Sequence, residues 1–161
     1  MMQKLYNLED IMPVIISFFD EGKDVIISAV GNSMCPLIRH QKDAVVLTRY
    51  GGTELNIGDM VFYRRTNGRY ILHRIVSIEK DGSFTLLGDN QTMLEKGITK
   101  EQVVAVPKAI IRGNKTISVD SKGYKFYAGF WAKSRLVRKL CIVLFEFRIW
   151  LSKAVKKLIK K

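Results

Sequence analysis

Between residues 25 and 119 the chain sustains no helical period and breaks into short β-rich runs separated by turn residues. That alternation constrains the fold most, because short strands joined by tight turns pair with their neighbours as antiparallel sheet. The runs cover residues 25–30, 44–48, 60–64, 70–78, 84–87, 103–111 and 116–119. Asn67-Gly68, Asp81-Gly82 and Gly113-Asn114 supply the left-handed residues that hairpin turns need. Pro107 has no backbone N–H to donate, so it marks an edge or a bulge in its strand. The first 22 or so residues read as a helix instead, with Asn7 at the cap, Asp10 three residues on and Pro13 near the first turn. The helical period returns after Trp131. The expected protein is mainly β, with a β-rich core at residues 25–125, an N-terminal helix at 1–24 and a C-terminal basic amphipathic helix at 126–161.

The net charge of +12 is unevenly distributed. Residues 131–161 hold ten Lys and Arg against one acid, which is +9, and the rest of the chain carries only +3. A nearly balanced body excludes a nucleic-acid-binding core and assigns the basic tail a partner of its own. Along that tail Leu136, Leu140, Val143, Leu144, Phe147, Leu151, Val155 and Leu158 recur at helical spacing. Lys139, Glu146, Lys153 and Lys160 step along the other face, and Trp150 lies near the apolar side. The pattern suits the interface of an anionic bilayer, or else packing on the β domain or on a partner protein. Because the aromatic residues sit in the apolar stripe rather than among the lysines, nucleic acid is not the expected partner.

No stretch approaches the roughly 20 apolar residues of a spanning helix. The run Ile11-Met12-Pro13-Val14-Ile15-Ile16 is short and acid-flanked, unlike a secretory signal. Cys35 and Cys141 suggest no disulfide framework and fit a reducing compartment. Together these features predict a cytoplasmic protein, peripheral at the inner face of the membrane, with no metal or cofactor.

Chemistry concentrates in three short boxes. Gly31-Asn32-Ser33-Met34-Cys35-Pro36-Leu37 follows the first strand, where a glycine permits a sharp turn and Pro36 fixes the exit. Such a turn can present the Ser33 hydroxyl with backbone N–H groups beside it for an oxyanion. Tyr70-Ile71-Leu72-His73-Arg74-Ile75 places His73 on an apolar strand face, which favours the neutral, proton-accepting imidazole. Leu87-Gly88-Asp89-Asn90 closes the series. Taken singly, the serine reads as a turn residue, the histidine as a satisfied core residue and the aspartate as a cap. His40, the other histidine, reads as a surface loop residue, and Ile57-Gly58-Asp59 as a structural turn in which Asp59 accepts a local hydrogen bond.

Taken in order, the boxes resemble the signal peptidase and LexA-like serine peptidase superfamily over about residues 25–112. Ser33-Met34-Cys35-Pro36 is similar to the Ser-Met-x-Pro box of signal peptidases, and Gly31-Asn32-Ser33-Met34 to the Gly-x-Ser-Met box of self-cleaving repressors. His73-Arg74 matches the archaeal and endoplasmic-reticulum type, where bacterial enzymes carry Lys-Arg. Gly88-Asp89-Asn90 resembles the box that ends the family core. The resemblance implies a signal-peptidase-like β core, Ser33 as nucleophile and His73 as general base, acting on an extended peptide bound as an added strand. Asn32, Met34 and Pro36 are the implied oxyanion and substrate-binding positions. A self-cleaving regulator and an inactive peptide-binding or membrane-docking module are the alternatives.

Two hairpin registers bear on the third catalytic member. A two-residue Asn67-Gly68 turn would set Phe62 opposite His73. In the next hairpin a two-residue Asp81-Gly82 turn would set Ser77 against Leu86 and Ile78 against Thr85, mixing polar with apolar. A three-residue Lys80-Asp81-Gly82 loop matches like with like instead, pairing Ile78 with Phe84 and Ile75 with Leu87, and sets Asp89 opposite His73. Asp89 is then the acid expected to orient the imidazole. Two departures qualify the resemblance. Gly31 stands where signal peptidases have an oxyanion serine, and Glu95 is the nearest match to a further family aspartate, which leaves the acid open between Asp89 and Glu95.

Overall fold

The structure is a computed structural model that describes residues 8–134 and, in the tail, residues 140, 142–144, 147 and 151. Helix α1 (Leu8–Asp20) comes first, followed by β1 (Val25–Ser28), β2 (Asp43–Arg49), β3 (Met60–Arg64), β4 (Tyr70–Ile78), β5 (Phe84–Leu87), β6 (Glu95–Ile98), β7 (Val103–Arg112), β8 (Lys115–Ser118) and α2 (Lys122–Lys133). All pairings are antiparallel, in the order β1-β2-β7-β3-β4-β5-β6. β8 joins the second half of β7, whose first half pairs with β3. The mainly β architecture with a helix at each end is the one the turn pattern implied. The Asn7 cap, Cys141, Leu136, Lys139, Glu146, Trp150, Lys153, Val155, Leu158 and Lys160 lie outside the described residues.

Both faces of the sheet are covered at its centre, which is why β3 reads as a continuous apolar run rather than an alternating one. Met60 and Phe62 point into a core shared with Met12, Ile15 and Phe19 of α1, Met34 and Ile38 of the loop after β1, and Tyr124 and Ala128 of α2. Val61 and Tyr63 point the other way, into a cluster with Ile75, Phe84, Leu86 and Ile98. Period-two alternation therefore sorts β4 as well. Tyr70 and Leu72 pack with the helix-side core, while Ile71 and Ile75 belong to the opposite cluster.

Two local details set the registers around the boxes. Arg65 donates to Arg69 O, with Gly68 at a φ of 85°, so the loop has three residues and Val61, not Phe62, stands opposite His73. The Lys80-Asp81-Gly82 loop forms as expected, pairing Ile78 with Phe84. A bulge then intervenes between Ile75 and Ser77, so Ile75 pairs with Leu86 and Arg74 with Leu87. Near Pro107 a second bulge interrupts the β2–β7 ladder, where Val46 pairs with Ala109 and Leu47 with Pro107. β6 was not foreseen: Glu95-Lys96-Gly97-Ile98 has no β-branched alternation and forms at the sheet edge. Pro13 lies inside α1, deeper than the first turn.

Candidate active site

Ser33 is half-buried in the loop that joins β1 to β2. Gly31 adopts a φ of 95°, which side chains rarely tolerate, and its N–H donates to His40 Nδ1 at 2.9 Å. His40 thus ties down the loop that the sequence had it merely flank. At the loop's far end Asp43, almost fully buried, accepts from the Arg39 N–H and both guanidiniums of Arg39 and Arg112. Burial alone would raise the Asp43 pKa, but those bonds outweigh it and hold it at about 2. Arg112 also donates to Leu37 O, so one ionic knot fixes the exit of the Ser33 loop.

The Gly88-Asp89-Asn90 turn packs directly on this loop. Asn90 N–H donates to Ser33 O at 2.7 Å, and a Cβ on Gly88 would stand 2.7 Å from the same oxygen. Only glycine lets the two backbones approach so closely. Asn32 is exposed, its Oδ1 3.8 Å from Cys35 Sγ. The Met34 side chain is buried in the helix-side core, and Pro36 is exposed after a cis peptide bond.

Asp89 meets Arg74 rather than His73. Arg74 Nε and Nη2 each donate to the Asp89 carboxylate at 2.7 Å, and both side chains are fully buried. The bulge after Ile75 is the cause. A one-residue shift moves every later side chain to the other face, so Asp89 falls on the face of Arg74 instead of that of His73. Arg74 also donates to Gly58 O at 2.7 Å, and Tyr127 Oη lies 3.5 Å from Asp89. Trp131 Nε1 donates to Asp89 O. Desolvation opposes the Arg74 charge, but the Asp89 carboxylate prevails and raises its pKa further above the usual range. Asp59 accepts from Asn56 N–H, as its turn suggested.

On the other face the carboxylate beside His73 is Glu95. Its Oε1 lies 3.0 Å from His73 Nδ1, and Arg65 grips the same carboxylate through Nη2 and, at 2.7 Å, through Nε. Tyr63 Oη is 3.4 Å from His73 Nδ1 and hydrogen-bonds to Glu95. Burial pushes the Glu95 pKa up, yet Arg65 and Tyr63 together hold it below the usual carboxylate value. An anionic Glu95 accepts from Nδ1–H, which leaves the Nε2 lone pair as the basic position of the ring. His73 is buried, and desolvation lowers its pKa to about 4 against an opposing pull from Glu95. This is well below the 6–7.5 of an ordinary histidine base. Among the described residues no hydrogen bond joins the Ser33 hydroxyl to His73. What links them is the segment from Gly88 to Glu95, which holds the Ser33 carbonyl at one end and the His73 ring at the other.

A family model described as Peptidase S24-like matches residues 2–110, from the N-terminus through most of β7. The chain belongs to the Peptidase S24-like family. Ser33, His73, Asp89 and Glu95 all fall within the matched span, whereas α2 and the basic tail lie beyond it. No curated protein matches the chain. Membership supports a serine peptidase in general, or a self-cleaving protein of that fold. It says nothing finer about the base or the substrate.

Sequence reasoning missed the partners rather than the boxes. Arg74 sits beside His73 in sequence, and alternation alone sends the two to opposite faces. Tyr63 on β3 and Arg65 just past its end both reach the His73 side of the sheet at a spacing of two, a signal that becomes legible only once the register is known.

Proposed function

We propose that the protein is a serine endopeptidase in which Ser33 attacks the peptide carbonyl, His73 accepts its proton and Glu95 orients the imidazole. The observation that supports this most is the Glu95–His73 contact at 3.0 Å, because it places the proton on Nδ1 and makes Nε2 the base. In the first step the Ser33 Oγ–carbonyl bond forms as its proton passes to Nε2. The imidazolium then protonates the leaving amine, and water repeats the sequence on the acyl-enzyme. Glu95 stabilises the imidazolium, and Arg65 keeps Glu95 ionised. The N–H groups around Ser33 and Asn32 face the developing oxyanion, the role that Gly31 cannot fill with a side chain. Asp89 is a positioning residue that braces the Ser33 loop through Asn90.

The substrate would be an extended segment of a leader, signal or pro-peptide, laid along β1. That strand is a sheet edge with Ile26 and Ser28 exposed, and it runs directly into the nucleophile loop. The burial of the His73 ring also fits an inactive peptide-binding module in which it is a core residue, and one experiment separates the two. A fluorophosphonate should label the protein on Ser33, with labelling lost in Ser33→Ala and cut by roughly 10³-fold or more in His73→Ala. Absence of labelling at Ser33 in a folded protein refutes the enzyme reading. Appearance of two fragments from the incubated full chain, lost in Ser33→Ala, would identify a self-cleaving regulator.

A further inference from the structure

Helix α2 is apolar on two sides. Tyr124, Ala128 and Trp131 are buried against the domain, whereas Phe126 and Phe130 stack on each other at 6.4 Å on the outside, 79% and 47% exposed. A folded domain rarely displays two aromatic rings side by side without a partner. Farther along, Leu140, Val143, Leu144 and Leu151 are helical and 48–60% exposed. Their spacing of three, one and seven residues puts them on one helical stripe. The stripe is therefore not covered by the β domain. It lies in a stretch with ten Lys and Arg and one acid.

From this surface we infer that α2 and the segment after it dock the protein on an anionic lipid bilayer, with Phe126, Phe130 and the leucine stripe entering the headgroup boundary. Charge decides the occupant. A second copy would bring two +9 segments together, and a neutral apolar partner would leave the lysines unanswered. An anionic surface takes both the apolar stripe and the cations. The lysines and arginines spread along residues 131–161 leave no run of about 20 apolar residues to cross a membrane, so the attachment is interfacial.

The geometry has a consequence for catalysis. The inner face of α2 grips the Gly88-Asp89-Asn90 turn through Trp131 and Tyr127, and that turn holds Ser33 O. One helix diameter, about 10 Å, therefore separates the proposed lipid face from the support of the nucleophile loop. Docking would set the proposed site at the membrane surface, where peptides with apolar leaders concentrate.

Full-length protein should cosediment with vesicles of phosphatidylcholine and phosphatidylglycerol, weakly with phosphatidylcholine alone, and less as salt rises. A full-length variant with Leu140→Ser, Leu144→Ser and Leu151→Ser should bind the anionic vesicles at least tenfold more weakly, and Phe126→Ser with Phe130→Ser should also weaken binding. Each lysine neutralised in the tail should cost about fivefold. Equal pelleting of the leucine variant and the parent overturns the inference. So does a dimer in light scattering that the variant loses without any vesicle binding, or a lowered melting temperature showing that the stripe packs on the domain. Ser33→Ala should keep full vesicle binding, and the leucine variant should keep cleavage of a short soluble peptide, so docking and the peptidase reading fail separately.

Discussion

Glu95→Gln tests the assignment of the acid most directly. Glu95 Oε1 is 3.0 Å from His73 Nδ1, and the His73 side chain is almost wholly buried. At an effective dielectric of about 20, a carboxylate at that distance stabilises an imidazolium by roughly 5–6 kcal/mol. Arg65 on the same carboxylate cancels part of this, leaving about 3–5 kcal/mol, or roughly 10²- to 10⁴-fold in kcat. Glutamine is close in shape but carries no charge, so the fold should persist while the rate falls. The pH profile gives a second reading. Glu95 raises the His73 pKa, so removing its charge should move the acid limb of kcat/KM downward from the parent value of about 4. Asp89→Asn is the contrast, because it unpairs buried Arg74. It should lower stability by about 3–5 kcal/mol, with the folded fraction retaining a limb near the parent pH. Steady-state cleavage of a fluorogenic peptide from about pH 2 to 9, with melting curves for both variants, decides it, since the window must reach about two units below the parent limb. A Glu95→Gln enzyme within threefold of the parent, beside an Asp89→Asn enzyme that folds well and fails to turn over, would refute the Glu95 assignment.

Two further outcomes follow from the same contacts. The His73 pKa falls from 6.5 to about 4 on folding, so its neutral form carries no penalty above pH 6.5, but between 6.5 and 4 the unfolded chain takes up a proton that the folded chain refuses. Stability should therefore drop by about 2 kcal/mol more in the parent than in His73→Asn between pH 7.5 and 5, measured by urea unfolding; parallel slopes would show that the ring is not desolvated. Gly88→Ala forces a Cβ to 2.7 Å from Ser33 O and 2.8 Å from Gln91 Oε1, so it should cut peptide cleavage by about 10²-fold at a modest loss of melting temperature. Gln91→Ala in the same chain should not restore activity, since the backbone clash remains; full activity in Gly88→Ala would show that the turn does not position the nucleophile.

The strands of this fold were legible because turn glycines and β-branched runs are local signals. Gly68 and Gly82 both take the left-handed conformation that their turns demand. The pairing between strands was less legible, since one residue of loop length or one bulge inverts every side chain beyond it. The extra residue in the Thr66-Asn67-Gly68 loop exchanged Phe62 for Val61 opposite His73, and the bulge after Ile75 carried Asp89 away from it. Neither has a sequence marker as plain as Asn-Gly. β6 escaped for a different reason: an edge strand needs little apolar alternation, and Glu95 spends its side chain on Arg65 and the His73 ring rather than on the core. Residue types were thus readable where the chain's own neighbours decide them, and unreadable where a distant strand does.

That division explains why two adjacent residues, His73 and Arg74, carry separate tasks. Alternation on β4 sends the imidazole to one face of the sheet and the guanidinium to the other. Each is desolvated and each meets one carboxylate, Glu95 or Asp89, at the two ends of the Gly88–Glu95 stretch. The Arg74–Asp89 pair is buried and bidentate, so it is rigid, and α2 clamps it through Tyr124, Tyr127 and Trp131. Rigidity at that end fixes where the Ser33 carbonyl is held. At the other end Glu95 is partly exposed and is reached by Arg65, so the carboxylate stays charged and holds the His73 ring from the rim of the sheet. A stretch anchored hard at one end and electrostatically tuned at the other fits the proposed need to hold the Ser33 loop still while His73 changes protonation, and sequence spacing alone does not reveal that arrangement.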